Sequence, residues 1–199
     1  MRAWNPGTAP VQLLIGGPTI GLSTWSRSVS RDLIHGQRLD MIMAYFAPAY
    51  RLRKRIRRIA VKGHTRLILA GKSDNAATIG ASRTLYKKLL RARAHIYEFQ
   101  PCKLHTKVIV LDDTVYIGSA NFDMRSLYVN LEIMVRIEDP ALAERMREFV
   151  GEHIPASLHV TTAIYRQWAT PLNRVRWWLS WFLTSVVDYS VSRNINLGL

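Results

Sequence analysis

Apolar runs of strand length alternate with stretches of helical period along most of this chain, and that alternation constrains it to a layered α/β architecture. Residues 11–15 form the first strand-like run, closed by Gly16-Gly17-Pro18. From Ser23 a helical stretch puts Trp25, Val29 and Leu33 on one face. Residues 39–46 read as a second strand, after which Pro48 opens a helix with Leu52, Ile56 and Ile59 at helical spacing and Gly63 at its C-terminal cap. A strand over 66–70, a loop over 71–75, a helix turning Ile79, Leu85, Leu89 and Leu90 inward, and a strand over 95–99 complete a βαβ series.

Beyond Pro101 the pattern changes. A strand over 105–111 is joined to one over 115–117 by only Asp112, Asp113 and Thr114, which predicts a hairpin. A longer strand over 128–137 follows, Asp139-Pro140 starts a helix reaching about Val150, and residues 172–189 form an amphipathic helix. The expected fold is a mixed sheet flanked by helices, in one domain spanning 1–199.

Composition narrows the function. With 48% hydrophobic and 21% charged residues the chain can bury a core, which excludes a disordered basic tail. Its net charge of +14 attracts polyanions, nucleic acid and anionic lipid alike. The single cysteine, Cys102, excludes an internal disulfide and a cysteine-rich metal cluster, and reads as a small buried hydrophobe. The N-terminal segment lacks the apolar core of a signal peptide. The most apolar stretch, residues 177–187, falls short of the about 20 residues a membrane-spanning helix needs.

Chemistry concentrates in His105-Thr106-Lys107, Asp112 and Gly118-Ser119-Ala120-Asn121. If the strand begins at His105, the period of 2 projects His105 and Lys107 from one face. An ammonium can neutralise a phosphate oxygen, an imidazole can attack phosphorus or carry a proton, and Ser119, Asn121 and backbone N–H groups can bind the remaining oxygens. This arrangement requires no metal or other cofactor. Chance matches to H-x-K-x4-D in such a chain number about 0.01.

The pattern resembles the HxKxxxxD and GSxxN signature of the phospholipase D superfamily, and the stretch Asn121-Phe122-Asp123-Met124-Arg125-Ser126 resembles its cardiolipin synthase branch. Asn130-Leu131-Glu132-Ile133, Ala44-Tyr45-Phe46-Ala47-Pro48 and Gly71-Lys72-Ser73-Asp74 carry the same likeness. It extends over residues 11–189, to the second half of enzymes that carry two such motifs. The resemblance implies that one histidine attacks phosphorus and a second, on the opposite side, protonates the leaving oxygen. It makes His105 the acid or the nucleophile, with the acid preferred, and has Lys107, Asn121 and Ser119 hold phosphate. It also gives Glu132 the imidazole's second nitrogen, and leaves Asp112 to close the hairpin. The sequence agrees that Asn130, Glu132 and Arg136 share the polar face of their strand.

None of the other five histidines begins a second motif: His64-Thr65-Arg66 and His35-Gly36-Gln37 lack the lysine. Five residues separate Asp112 from Gly118 where many relatives have six, so a tighter turn is expected. Other features have bland readings beside functional ones. Glu132 suits a buried ion pair, Asp123 and Arg125 a salt bridge that shapes the loop, and Lys72 and Asp74 turn or capping chemistry. The cations Arg51, Arg53, Lys54, Arg55, Arg57 and Arg58 suit a solvated helix face as well as anionic lipid. The stripe Val175, Trp178, Leu179, Phe182 and Val186 suits packing on the protein's own sheet, while Trp177, Trp181, Arg174 and Arg176 suit an interfacial helix.

The expected activity is phosphatidyl transfer on phosphatidylglycerol, peripheral to a bacterial inner membrane and on its cytoplasmic side, with the second motif supplied by a homodimer mate or a separate half. The alternatives are a homodimeric DNA phosphodiesterase and an inactive half that binds lipid.

Overall fold

The computed structural model describes residues 4–18 and 22–197, with the side chains of 193–197 excepted. The first three residues of the N-terminal segment lie outside that description. Ten strands are present among the described residues: β1 (Val11–Gly16), β2 (Arg38–Met43), β3 (Phe46–Ala47), β4 (His64–Ala70), β5 (His95–Phe99), β6 (Lys107–Leu111), β7 (Thr114–Gly118), β8 (Phe122–Asp123), β9 (Glu132–Glu138) and β10 (Ser157–His159). The helices are α1 (Thr24–His35), α2 (Tyr50–Lys62), α3 (Ala76–Arg91), α4 (Met124–Tyr128), α5 (Pro140–Glu152), α6 (Thr162–Trp168), α7 (Pro171–Phe182) and α8 (Asp188–Leu197), with a π-helical turn at Leu183–Val187.

Eight strands form one mixed sheet in the order β1-β9-β7-β6-β2-β4-β5-β10, confirming the α/β expectation. β2, β4 and β5 run parallel through the crossovers α2 and α3, and β6 and β7 add the antiparallel hairpin. On β2 the period of 2 sends Leu39, Met41 and Met43 into the core beneath α1, α2 and α3, and Ile42 to the opposite face. Burial on both faces explains why the middle strands read as nearly continuous apolar runs. α5 covers the second face with Ala143 against Val108, Val110 and Val115. That cover ends before β1 and β9, where Val11, Leu13 and Ile133 are exposed on paired strands.

Several sequence expectations need correction. The strand expected over 39–46 ends at Met43. β3 then leaves the main sheet and pairs in parallel with β8, stacking the Phe46 and Phe122 rings at a centroid distance of 6.1 Å. The strand expected over 128–137 starts at Glu132, because the Asp123 carboxylate accepts from the Ser126 N–H at 2.9 Å and caps α4. The hairpin loop holds two residues, since Thr114 already pairs with Leu111. Ile79 is half-buried, and Cys102 is exposed on the loop before β6. Of the terminal stripe, read from sequence either as packed on the sheet or as part of an interfacial helix, Val175, Trp178, Leu179 and Phe182 are exposed and Val186 is half-buried, while α7 rests on α3 through Trp177. At the crossing, a side chain on Gly80 would put its Cβ 2.9 Å from the Ser180 Cβ. Among the described residues no helix is long and apolar enough to cross a membrane.

Candidate active site

The motif residues gather where β6 begins, β2 and β7 end and β9 begins. β2 stops at Met43, which pairs with Lys107, so residues 105 and 106 have no ladder partner there. His105 therefore precedes the strand, contrary to the shared-face expectation, and its exposed imidazole makes no hydrogen bond among the described residues. Lys107 turns back and donates from Nζ to the His105 carbonyl oxygen at 2.6 Å, which fixes the ammonium beside the backbone that carries the imidazole. Lys107 is only 7% exposed. Burial lowers its pKa, partly offset by the charges of Glu132 and Asp123.

Ser119 and Glu132 form the second part. At Gly118 a Cβ would lie 2.1 Å from the Ile133 carbonyl oxygen, so the glycine permits the close approach of β7 and β9. The Ser119 hydroxyl accepts from the Ile133 N–H at 3.0 Å and donates to Glu132 Oε2 at 2.5 Å. Asn130 Nδ2 reaches Glu132 Oε1 at 3.4 Å. Glu132 thus holds Ser119 and Asn130 rather than the imidazole. Asn121 accepts from the Tyr45 N–H at 3.2 Å, which ties the Gly-Ser-x-Asn turn to the segment after β2.

Asp112 stands apart. The length of β6 separates it from Lys107, and its carboxylate accepts from the Gln37 and Arg38 N–H groups at 3.0 and 2.8 Å. Its backbone is left-handed at φ 49°. It sits at the hairpin turn, where the sequence reading put it, and beyond that reading ties the turn to the start of β2. Arg136, on the same face of β9 as Glu132 as expected, pairs with Asp32 of α1 at 2.9 Å.

A cavity of about 310 Å³ adjoins the motif through Asn121, Asp123 and Asn130. Burial raises the Asp123 pKa to about 6, against the lowering effect of the Ser126 and Arg125 N–H groups. Arg125 pairs with Asp188 at 3.1 Å, so α8 closes one wall. Asn75 and Thr78 at the start of α3 line another, whereas Asp74, in the loop considered from sequence, pairs with Lys103. Sequence reasoning missed Asn75, Thr78 and Asp188. An N-cap Asn just past a loop at the end of a parallel strand was the available signal for the first. Among the described residues no group of three or more His, Cys, Asp or Glu side chains could hold a metal ion.

Comparison with known proteins agrees with the fold. Cardiolipin synthase A of Cronobacter sakazakii is 32% identical over 153 residues, covering 71% of this chain and 32% of that protein. Cardiolipin synthase B of Shigella flexneri is 30% identical over 177 residues, covering 87% of this chain and 41% of that protein. The chain thus spans well under half the length of these relatives. Among solved structures, Nuc from Salmonella typhimurium, a phospholipase D family member, superposes with a TM-score of 0.62 at 20% identity, covering 76% of this chain and 99% of that one. Phosphatidylserine synthase of Haemophilus influenzae gives 0.68 at 15% identity, with 92% and 47% covered. The sequence pattern described as "Cardiolipin synthase, PLD-like domain" matches residues 31–154, more than half of the chain, and the chain belongs to that family.

Proposed function

We propose that this chain is one half of a phosphatidyl-transferring enzyme of cardiolipin synthase type, acting on phospholipid phosphodiesters through a phosphohistidine intermediate. The observation that carries the reading is the free, exposed His105 imidazole beside a buried Lys107 ammonium fixed to the same backbone. Lys107 and Asn121 would hold the non-bridging phosphate oxygens. One histidine attacks phosphorus, and the displaced glycerol oxygen takes a proton from the other. The phosphohistidine is then attacked by a hydroxyl of a second phosphatidylglycerol, which gives up its proton to that other histidine and regenerates the first. In-line displacement separates these roles across one phosphorus, so His105 fills one of them, with acid preferred.

The second imidazole would come from another copy of this chain or from a separate half. The bare apolar face of β1 and β9, with Val11, Leu13 and Ile133 exposed, suits such an association. The enzyme would work peripherally at the bacterial inner membrane, on its cytoplasmic side. A second reading, a DNA phosphodiesterase built from two copies, is favoured by the +14 charge.

The test is incubation of the purified chain with phosphatidylglycerol vesicles, following cardiolipin and phosphatidic acid by mass spectrometry. Product is expected from the wild type and none from His105→Ala, whose melting temperature should be unchanged because the ring is exposed. Full turnover by the variant would end the reading. Nicking of supercoiled plasmid without added metal at low salt, together with no lipid product, would favour the nuclease.

A further inference from the structure

The C-terminal helices turn the wrong way for a part of the core. α7 faces α3 with Trp177, while Trp181 packs at the edge of the core. The opposite side presents Leu172, Val175, Trp178, Leu179, Phe182 and Leu183, each between 36 and 69% exposed. The Trp178 and Phe182 rings stack at 5.5 Å, so the centre of this stripe is a flat aromatic surface with no cover. A face of this length and composition in water marks a docking surface.

Next to the core-facing side of α7, where Trp181 lies, is a groove of about 220 Å³ between α2 and α3. Its walls carry Arg53, Lys54, Arg57 and Lys88, and the buried Leu85 and Leu89 lie between them. None of the four cations pairs with a carboxylate among the described residues. Arg53 is half-buried, and its Nε is shielded from solvent without a hydrogen-bond partner. Burial lowers its pKa, which is the state an anion would reverse. The Arg53 guanidinium sits 5.8 Å from the Trp181 ring centroid and so joins the groove to α7. Arg174 and Arg176 flank the stripe, exposed and likewise without carboxylate partners among the described residues.

We propose that the α2–α3 groove is a second anion site, sharing no lining residue with the His105 motif, that seats the headgroup phosphate of an anionic bilayer lipid while the exposed stripe of α7 lies in the same bilayer's interface. Charge complementarity chooses this occupant. A protein partner would meet the stripe equally well, but a row of unpaired cations beside exposed Trp and Phe matches an anionic surface with an apolar layer beneath it. The Leu85 and Leu89 side chains between the cations suit the glycerol and upper acyl region below a phosphate. The choice of lipid as partner rests on the phospholipid reading of the enzyme, but docking requires no turnover.

Co-sedimentation of the full chain with vesicles of phosphatidylglycerol and phosphatidylcholine, or of phosphatidylcholine alone, tests this. Binding is expected only to the anionic vesicles, weakening as salt rises, with a blue shift of tryptophan emission. His105→Ala should bind as wild type does, which separates docking from catalysis. Trp178→Ser with Leu179→Ser, and separately Lys54→Gln with Arg57→Gln and Lys88→Gln, should each lower the partition coefficient about tenfold or more. Folding of the variants is checked by circular dichroism, and the wild-type emission shift needs no variant. Absence of wild-type binding and emission shift would overturn the proposal even if lipid turnover were observed. So would undiminished binding by either folded variant, or loss of a dimer in the Trp178 and Leu179 variant with vesicle binding retained, which would make the stripe an interface between copies.

Discussion

His105 and Asp112 sit in the same short motif, and the structure sends them to opposite ends of β6. The histidine lies beyond the reach of the ladder and stays exposed, whereas the aspartate is tied to two backbone N–H groups of another strand. Replacing Asp112 with alanine should therefore lower stability by about 1–3 kcal/mol in urea unfolding, since two donors lose their acceptor and a left-handed backbone loses a tolerant residue. Turnover per folded molecule should change little. Asp123 makes the opposite kind of statement. Its carboxyl titrates near 6 when folded against 3.8 when unfolded, so the folded state binds the extra proton between those values. Stability should fall as pH rises from about 4 to about 6, by no more than about 3 kcal/mol. Asp123→Asn keeps the cap of α4 and should remove that slope, which denaturant midpoints across the range would reveal. The residue types of the motif were legible in sequence because the chemistry demands them. That Glu132 engages Ser119 was not, because a carboxylate pairs with whichever donor the β7–β9 register puts nearest.

At the scale of elements, the helices and central strands were legible because burial on fixed faces leaves a period. The failures fall where a local partner outbid that period. Residues 39–46 are apolar throughout, but Phe46 finds Phe122 rather than a place in the main sheet. Residues 128–131 carry strand-like side chains, yet Asp123 caps a short helix upstream and delays β9. The terminal stripe was left open by the sequence for a different reason: Trp177 and the small residues Gly80 and Ser180 let α7 approach α3 on the other side. Gly80→Val should push α7 off α3 and cost about 1–3 kcal/mol, with a lower melting temperature and a red-shifted tryptophan emission.

The whole molecule presents one His-x-Lys motif in 199 residues and, among the described residues, a bare apolar face at the β1–β9 end of its sheet. If two copies pool their histidines in a single site, mixing equal amounts of wild type and His105→Ala with subunit exchange should reduce activity to about one quarter, the share of wild-type pairs. Independent sites would leave half. The measurement needs only the lipid assay and time for exchange.

The sequence by itself determined the α/β class, the order of the central elements and the family motif that supplies the candidate reactive groups, because each follows from periodicity or from a pattern confined to a short stretch. Only the tertiary structure decided which side of α7 is buried, whom Glu132 and Arg136 bind, that Asn75 and Asp188 border the cavity beside Asn121, and that Arg53 of α2 reaches the Trp181 ring of α7. Those outcomes depend on pairings between residues far apart in the chain, and pattern within one segment carries no record of which distant segment will pack against it.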